Sequence, residues 1–324
     1  MNSSSTNLAR GYPVALLSAT FLSTTAIFIR YLITAFQPPA LLLAFWRALF
    51  SAVVLVVLFA LARPALLRVT RAQLGYLVFY GLMLSAFNSM WTLSVAINGA
   101  AVSNVLVYSS TAFTALLGWW LLKERLTPLR LLVVAICFTG CVFVAQAFTP
   151  EIWSTNLSGI LTGLLSGLGY AAYSLMGRSA SQRGLNPWTS LTYTFIFAAL
   201  FLGILNFLPF PIPGTLDQPA QFFWFGNAWL GWGLLLLLAA GPTVMGYGLY
   251  NVSLSFLPSS TANLILTVEP VLTIFIAFFF LGERLSLDQI FGSALIVGGV
   301  VLLRVFEGRR AAKLTAAEIA ELAS

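Results

Sequence analysis

The sequence predicts an all-α polytopic membrane protein in which ten transmembrane helices form an inverted 5+5 repeat around a central cavity. Three observations predict this fold class. The composition is 60% hydrophobic and 8% charged, ten apolar segments follow one another along the chain, and the last five segments repeat residues of the first five. Inverted repeats build secondary transporters, because two opposed halves can rock around a site between them. Transport is therefore the leading functional hypothesis.

The composition also excludes several kinds of protein and site. Soluble globular chains carry roughly 25% charged residues, so this chain cannot present enough polar surface to water. With zero histidines, histidine zinc sites, Ser-His-Asp triads and imidazole proton relays are excluded. Cys137 and Cys141 lie four residues apart on one apolar segment, and we expect them to pack rather than to bind metal. Since Asp217 and Asp288 both lie in or beside loops, no metal or other cofactor is predicted.

Ten apolar segments have the length that a membrane-spanning helix needs, which is roughly 20 residues. Turn signals such as Pro38-Pro39, Asn98-Gly99 and Asn186-Pro187 separate them. Segments 1 to 10 are predicted at 12–35, 40–61, 74–97, 101–122, 128–148, 158–179, 187–208, 228–252, 258–281 and 286–305. The longest loop, 209–227, is rich in Pro, Phe and Trp and is interpreted as an interfacial anchor, with a lid as the alternative.

The two halves repeat each other at two offsets. An offset of 159 pairs Asn104 with Asn263 and aligns the endings Lys123-Glu124-Arg125-Leu126 and Gly282-Glu283-Arg284-Leu285. An offset of 148 pairs Arg30 with Arg178 in the first segments of the halves. The chain is therefore divided into a first repeat at 1–150, a second repeat at 151–306 and a polar tail at 307–324.

The distribution of basic residues predicts the topology. Ten spans place both termini on one side, and if that side is cytoplasmic it holds 13 of the 16 basic residues, as the positive-inside rule requires. The cytoplasmic set is Arg10, Arg63, Arg68, Arg71, Lys123, Arg125, Arg130, Arg178, Arg183, Arg304, Arg309, Arg310 and Lys313. Five spans per half is an odd number, so the second repeat is inverted. The net charge of +7 is then explained by topology and by lipid headgroups in the cytoplasmic membrane, and no nucleic-acid partner is expected.

This pattern resembles the drug/metabolite transporter superfamily and, within it, the EamA family of ten-span proteins. The resemblance rests on the paired endings described above, on Glu269-Pro270 in segment 9 and on Arg47 in segment 2, and it covers about residues 12–305. Members export or import small organic metabolites, often amino acids, and include aromatic amino acid exporters. The resemblance implies two four-helix groups around a central cavity, with segments 5 and 10 more peripheral.

The two halves differ chemically at depth in the membrane. The first half has Ser110-Thr111 where the second has Glu269-Pro270, and the second has Phe195-Ile196 where the first has Trp46-Arg47. A carboxyl group at the centre of a span typically faces a cavity or a partner, so Glu269 suits proton coupling, with helix locking as the alternative. Pro270 removes a backbone hydrogen bond and predicts a helix break of the kind found at transporter sites.

Arg47 lies about a third of the way along segment 2 and needs an anion at that depth. The candidates are Glu269, a substrate carboxylate and a cluster of carbonyl groups, since guanidinium recognises carboxylates well. Snorkelling to the interface beside Trp46 is the competing interpretation. For Arg30, close to the outer end of segment 1, snorkelling is the prediction.

Polar and aromatic residues recur at helical spacing on several apolar segments. Because polar groups facing lipid would be unsatisfied, these faces are predicted to line a cavity, although hydrogen bonds between helices would explain any one of them. The candidate substrate-binding residues are Trp46, Arg47, Asn88, Trp91, Asn104, Tyr108, Tyr170, Tyr173, Tyr247, Tyr250, Asn263 and Glu269. Such a lining suits small amphipathic molecules with one charged group.

The sequence therefore predicts a secondary transporter for amino acids or related metabolites, acting as an exporter by alternating access. No nucleotide-binding motif is present, so the driving force would be a gradient of substrate or of protons. A passive channel or a lipid scramblase is the alternative. An intramembrane enzyme is disfavoured, because paired acids and a metal site are missing. The oligomeric state is not predicted.

Overall fold

All regular secondary structure in the residues that the structure describes is helical. The computed structural model describes residues 3–122, 127–208, 212–253, 256–257, 262 and 265–323, and gives the backbone alone for 3–10, 121–122, 304 and 307–323. The α-helices are α1 (Ser3–Ser23), α2 (Thr25–Phe36), α3 (Ala40–Ala62), α4 (Arg71–Asn98), α5 (Ala100–Val107), α6 (Ser110–Leu122), α7 (Pro128–Val144), α8 (Pro150–Thr155), α9 (Leu157–Gln182), α10 (Pro187–Asn206), α11 (Trp229–Leu238), α12 (Gly246–Ser253), α13 (Glu269–Ile276) and α14 (Leu287–Ala323). Two 3₁₀ turns (Pro64–Leu67 and Pro219–Phe223) and two π-helical stretches (Ala239–Met245 and Ala277–Leu281) complete the described helices.

Seven helical stretches in the described chain are long and apolar enough to cross a membrane. They are Gly11–Phe36, Ala40–Ala62, Arg71–Asn98, Ala100–Trp120, Leu157–Gln182, Pro187–Asn206 and Trp229–Ser253. Three shorter apolar helices, Pro128–Val144, Glu269–Leu281 and Leu287–Leu303, lie at predicted segments 5, 9 and 10. Many large apolar side chains on these helices are exposed, including Trp120 and Phe280. The protein is therefore a multi-pass membrane protein whose apolar outer surface faces lipid.

Several of the predicted segments are interrupted near their middle. Segment 1 breaks at Thr24, whose hydroxyl donates to the carbonyl of Phe21 at 2.7 Å, and segment 4 breaks between α5 and α6 at Tyr108 and Ser109. Segment 8 contains a π-helical stretch around Pro242. A further break in segment 9 precedes α13, which has Pro270 in its first turn, and this is the break that the sequence reasoning had marked. Hydroxyl side chains that compete for backbone carbonyls, and a proline without an N–H, loosen a helix at such points.

Contacts between helices from the two ends of the chain hold the bundle together. Helix α4 packs against α9 and α10, α3 packs against α10, α1 packs against α12, and α7 packs against α14. Glycines allow some of these close approaches. A Cβ on Gly163 would lie 2.5 Å from a methyl carbon of Leu106, and one on Gly167 would lie 2.2 Å from the Ser109 hydroxyl. The close packing of α9 against segment 4 therefore requires glycine at these two positions.

Gly292→Ala is expected to destabilise the contact between α7 and α14. A Cβ at Gly292 would lie 2.6 Å from the backbone oxygen of Gly140 and 2.8 Å from the backbone nitrogen of Val144, and neither backbone atom can move aside. Overpacking of this kind costs about 1–3 kcal/mol. Gly298→Ala is the matched control on the same helix, because nothing lies within 4 Å of its Cβ position. Thermal unfolding of the purified protein should show a lower midpoint for the Gly292 variant alone, and equal midpoints would contradict this packing.

Candidate functional site

A cavity of about 190 Å³ lies inside the bundle, among helices from both parts of the chain. Most of its walls come from the interrupted or kinked segments, where backbone and polar side chains reach the interior. The lining residues are Leu22, Thr25, Arg47, Leu84, Phe87, Asn88, Trp91, Asn104, Val107, Tyr108, Ser110, Thr111, Tyr170, Phe195, Thr243, Tyr247, Tyr250, Leu266, Thr267, Glu269 and Val300. Arg47 and Glu269 are the charged members of this set, so the cavity contains one basic and one acidic side chain.

Arg47 projects from α3 onto one face of α4. Its Nη2 donates to Oδ1 of Asn88 at 2.6 Å, and its guanidinium carbon lies 5.1 Å from the ring centroid of Trp91. Asn88 and Trp91 are three residues apart, which places them on the same side of α4. Only 4% of Arg47 is exposed, so the guanidinium is buried and does not snorkel to an interface.

Three donors in this cluster have no hydrogen-bond partner among the described residues. They are Arg47 Nε, Asn88 Nδ2 and Trp91 Nε1, and all three atoms are buried. The orientation of the Asn88 amide follows from chemistry, because an arginine only donates and must therefore meet Oδ1. We call Arg47, Asn88 and Trp91 the donor cluster.

Glu269 occupies a different part of the cavity wall, at the start of α13. The hydroxyl of Tyr108 lies 3.1 Å from Glu269 Oε2 and 3.2 Å from the carbonyl oxygen of Leu266. Nearby, Asn104 Nδ2 donates to the Thr273 hydroxyl at 2.7 Å, and that hydroxyl lies 3.0 Å from the carbonyl oxygen of Ser23. These bonds join α1, α5 and α13 beside the acid. No ion pair between Arg47 and Glu269 occurs in the described structure, where the recorded ion pair is Arg30–Glu283.

The structure brings most of the predicted site residues together. Nine of them line the cavity: Arg47, Asn88, Trp91, Asn104, Tyr108, Tyr170, Tyr247, Tyr250 and Glu269. Trp46 and Tyr173 do not line it, and Asn263 lies outside the described residues. Tyr173 instead stacks on Tyr80, with ring centroids 4.8 Å apart. Within the described chain no group of three or more Cys, Asp and Glu side chains could hold a metal ion.

Trp46 belongs to an aromatic cluster at one end of the bundle. Its Nε1 donates to the carbonyl of Phe222 at 3.0 Å, and its ring centroid lies 4.9 Å from those of Phe222 and Trp232. Trp224 Nε1 donates to the carbonyl of Phe36 at 2.8 Å. The described part of the predicted anchor loop is therefore attached to the ends of α2 and α3.

Cavity positions in the two parts of the chain correspond at the offsets found in the sequence. At an offset of 148 or 159, eight pairs of lining residues coincide: Leu22 and Tyr170, Arg47 and Phe195, Leu84 and Thr243, Asn88 and Tyr247, Trp91 and Tyr250, Val107 and Leu266, Tyr108 and Thr267, and Ser110 and Glu269. The sequence comparison had paired Arg47 with Ile196, and this was wrong by one residue. Ile196 lines a separate apolar groove between α3 and α10, whereas Phe195 faces the same cavity as Arg47.

Sequence reasoning missed Thr25, Phe195 and Thr243 as lining residues. Phe195 could have been found by transferring Arg47 through the offset of 148, whereas Thr243 corresponds to Leu84, which the sequence reasoning had not marked either. Thr25 carries no comparable signal, because a lone threonine in an apolar segment equally well bonds its own backbone.

A second polar cluster closes the end of the bundle at which α2 and α4 terminate. Arg30 Nη1 donates to the carbonyl of Ala96 at 2.6 Å, and Arg30 Nε lies 3.5 Å from Glu283 Oε1. The carboxylate of Glu283 also accepts the first backbone N–H groups of α5, from Ala100 and Ala101, at 2.9 Å each. We call Arg30, Glu283 and the start of α5 the polar latch. Arg30 thus pairs with an acid, whereas the sequence predicted snorkelling.

Gly99 is required for the polar latch. It has a φ of 85°, and a Cβ there would lie 2.6 Å from Glu283 Oε1. Next to it, Asn98 Nδ2 donates to the carbonyl of Gly159 at 2.8 Å, and Asn156 Nδ2 donates to Asn98 Oδ1 at 3.0 Å. The latch and these two amide bonds together therefore tie the ends of α2 and α4 and the starts of α5 and α9 to the segment after α13.

Comparison with known proteins shows that this chain is similar to transporters. The family model described as "EamA-like transporter family" matches residues 9–146 and again residues 157–305. An uncharacterized transporter of Synechocystis sp. is 30% identical over 234 residues, which are 71% of this chain and 64%, less than two thirds, of that protein. An uncharacterized transporter of Bacillus subtilis (strain 168) is 24% identical over 292 residues, covering 87% of this chain and 89% of that protein.

A named exporter and a solved structure also match. Threonine/homoserine exporter RhtA of Escherichia coli (strain K12) is 27% identical over 242 residues, covering 74% of this chain and 75% of that protein. A crystal structure matches with a TM-score of 0.57 at 17% identity, covering 93% of this chain and 98% of that chain. At that level of identity the structural match supports the fold alone.

Proposed function

The chain belongs to the EamA-like transporter family, and we propose that it is a secondary transporter that exports amino acids or related small amphipathic metabolites by alternating access. The family and the matched relatives are transporters rather than enzymes. The matched exporter of threonine and homoserine supports amino acids as the substrate class. A cavity of about 190 Å³ is smaller than the roughly 300–1,000 Å³ of pockets for drug-sized ligands, which also supports a small metabolite.

The observation that carries this proposal is the cavity lined by corresponding positions of two repeats. The eight residue pairs described above support a position between the two halves, and substrate sites of inverted-repeat transporters lie at such an interface. We propose ten spans, with the first repeat at 1–150, the inverted second repeat at 151–306, a cytoplasmic tail at 307–324 and both termini in the cytoplasm. The two separate matches of the family model support this division.

The contacts between helices also support a two-fold relation between the two halves. In the proposed repeat, segment 1 corresponds to segment 6 and segment 3 corresponds to segment 8. The contact between α4 in segment 3 and α9 in segment 6 should therefore have a counterpart between α12 in segment 8 and α1 in segment 1, and both contacts are present. Segment 4 likewise corresponds to segment 9. The contact between α6 in segment 4 and α9 in segment 6 has its counterpart between α13 in segment 9 and α1 in segment 1, which is also present. A fold with this internal two-fold relation can alternate between two states of similar energy by rocking its halves.

In the proposed orientation the polar latch lies at the outer end of the bundle and acts as the outer gate. Its partners come from both repeats, so outward opening has to separate them. When closed, this gate would separate the cavity from the outer side. Proton exchange at Glu269 would couple outward transport to the proton gradient.

Counterflow into proteoliposomes tests the proposed function. With unlabelled amino acids inside, we expect saturable and accelerated uptake of at least one labelled member of an amino-acid panel, relative to empty liposomes. Accelerated exchange is the signature of a carrier, because the loaded site returns faster than the empty one. Uptake that does not saturate would favour a channel, and movement of labelled lipid without amino-acid uptake would favour a scramblase. Absence of uptake across the panel, with folded protein, would remove amino acids from the proposal.

A further inference from the structure

The donor cluster lacks an acceptor that the described protein could supply. Arg47, Asn88 and Trp91 are 4%, 3% and 7% exposed, and each has a buried N–H group without a partner among the described residues. A buried donor left unpaired is disfavoured relative to one that is bonded, and a buried positive charge without an anion is disfavoured further. Three such donors at one wall of one cavity therefore indicate a site for an acceptor that enters from solution.

The chemistry of the missing acceptor follows from the donors. A carboxylate carries one negative charge and about four lone-pair sites, and it can accept two parallel N–H bonds from a guanidinium. It can meet Arg47 Nε and still leave a lone pair for the neighbouring amide or indole N–H. A phosphate dianion fits less well, because Arg47 is the one basic side chain in the lining set while Glu269 adds an acid to the same cavity.

The donor cluster belongs to the first repeat alone. At the corresponding positions the second repeat has Phe195, Tyr247 and Tyr250, which supply no positive charge. The acidic side chain likewise occurs in one repeat only, since Glu269 of the second repeat corresponds to Ser110 of the first. The cavity thus has a cationic pole from one half and an acidic pole from the other.

We propose that the site takes small zwitterions, with the substrate carboxylate bound by Arg47, Asn88 and Trp91 of the first repeat and the substrate ammonium directed towards Glu269 of the second. This inference rests on the proposed transport function and assigns the orientation of its substrate. A zwitterion brings no net charge into the membrane interior. Because its two poles contact different halves, the bound substrate also links the halves whose relative movement carries it across.

The test compares each amino acid with its own carboxamide, which retains the ammonium and the side chain but lacks the carboxylate charge. Competition against counterflow of a transported amino acid gives the apparent affinity of both. We expect the wild type to prefer the acid, and Arg47→Gln to reduce that preference about 10- to 100-fold, as the loss of charge-assisted hydrogen bonds implies. Arg63→Gln is the matched control, because Arg63 is exposed at the end of α3.

Asn88→Asp keeps the test informative if Arg47→Gln fails to fold. It places a carboxylate where Arg47 Nη2 now donates at 2.6 Å, so the protein itself neutralises the guanidinium and the fold keeps this contact. The acid preference should fall here as well, while binding of the carboxamide persists. Thermal stabilisation of the purified protein by acid and carboxamide provides a second readout that does not need transport.

The outcomes separate this inference from the proposed function. Loss of the acid preference in both variants, with the Arg63 control unchanged, supports the assigned carboxylate site. Transport of an amino acid by the wild type together with an undiminished acid preference in the variants would overturn the assignment and leave the transporter proposal intact. Failure of every amino acid to exchange or to stabilise the wild type would overturn this inference and remove amino acids from the proposed function.

Discussion

Glu269→Gln is expected to abolish accumulation of substrate driven by a pH gradient, leaving only equilibration across the membrane. Glu269 is the acidic side chain among the described residues that line the cavity, and an acid within a span is a default candidate for proton exchange. Glutamine cannot release a proton, but it keeps an oxygen that can accept from Tyr108, which now lies 3.1 Å from the carboxylate. Exchange of substrate for substrate needs no net proton movement. It should therefore persist at saturating substrate, with weaker apparent affinity because the ammonium loses its anionic partner.

The measurement is uptake into proteoliposomes with and without an imposed pH gradient, followed by counterflow in the same vesicles. Glu151→Gln is the matched control, since Glu151 is exposed in the first turn of α8 and distant from the cavity lining. A control variant that accumulates substrate like the wild type would show that the loss is specific to the cavity acid. If Glu269→Gln accumulates substrate normally, the residue has only a structural role.

Glu283→Ala is expected to open the polar latch and to make the interior accessible from the outer side. The substitution removes the ion pair with Arg30 and leaves the N–H groups of Ala100 and Ala101 without their acceptor. Loss of a helix N-terminal acceptor costs about 0.5–2 kcal/mol, and one to two kcal/mol corresponds to a population shift of about 5- to 30-fold. The fold should survive, because water can reach these groups once the latch opens.

Labelling of a buried cysteine measures this opening. Ser94 is fully buried behind the latch and bonds Ser103 at 2.9 Å, so Ser94→Cys in a variant without Cys137 and Cys141 reports access to the interior. A membrane-impermeant maleimide added from outside should label it about 5- to 30-fold faster when Glu283 is replaced. Glu151→Ala should leave the rate unchanged. Equal labelling rates with and without Glu283 would show that the latch does not gate this end.

The helical segments were predictable because a bilayer imposes a length and a composition. Seven stretches long and apolar enough to span, and three shorter apolar helices, overlap the ten predicted segments. The breaks inside segments 1, 4 and 8 were not predicted, whereas the one at Pro270 in segment 9 was. They depend on whether a neighbouring helix satisfies the freed backbone groups. The hydroxyl of Ser18, for instance, donates to the carbonyl of Gly246 at 2.7 Å, and only the packed bundle brings these groups together.

The candidate site was predictable in part. Polar and aromatic residues at helical spacing, together with the two charged residues within spans, identified nine lining residues, because unsatisfied polar groups cannot face lipid. Trp46 and Tyr173 resembled them in the sequence, yet an aromatic ring is equally stable against lipid, another ring or a substrate. Their neighbours, Phe222 for Trp46 and Tyr80 for Tyr173, are distant in the chain. Helix rotation and loop position therefore decided where these two side chains lie.

The sequence by itself determined the class of protein, the apolar segments, the internal resemblance of the two halves and the position of one arginine and one glutamate within those segments. Each of these follows from the cost of placing polar groups in hydrocarbon, which acts on every residue regardless of its neighbours. Only the tertiary structure decided which partners those charges have. Arg30 forms an ion pair with Glu283. Arg47 instead contacts the Asn88 amide and the face of the Trp91 ring, and it pairs with no acid among the described residues. Ion pairs and hydrogen bonds require contact within a few ångströms, and such contacts depend on how the helices pack.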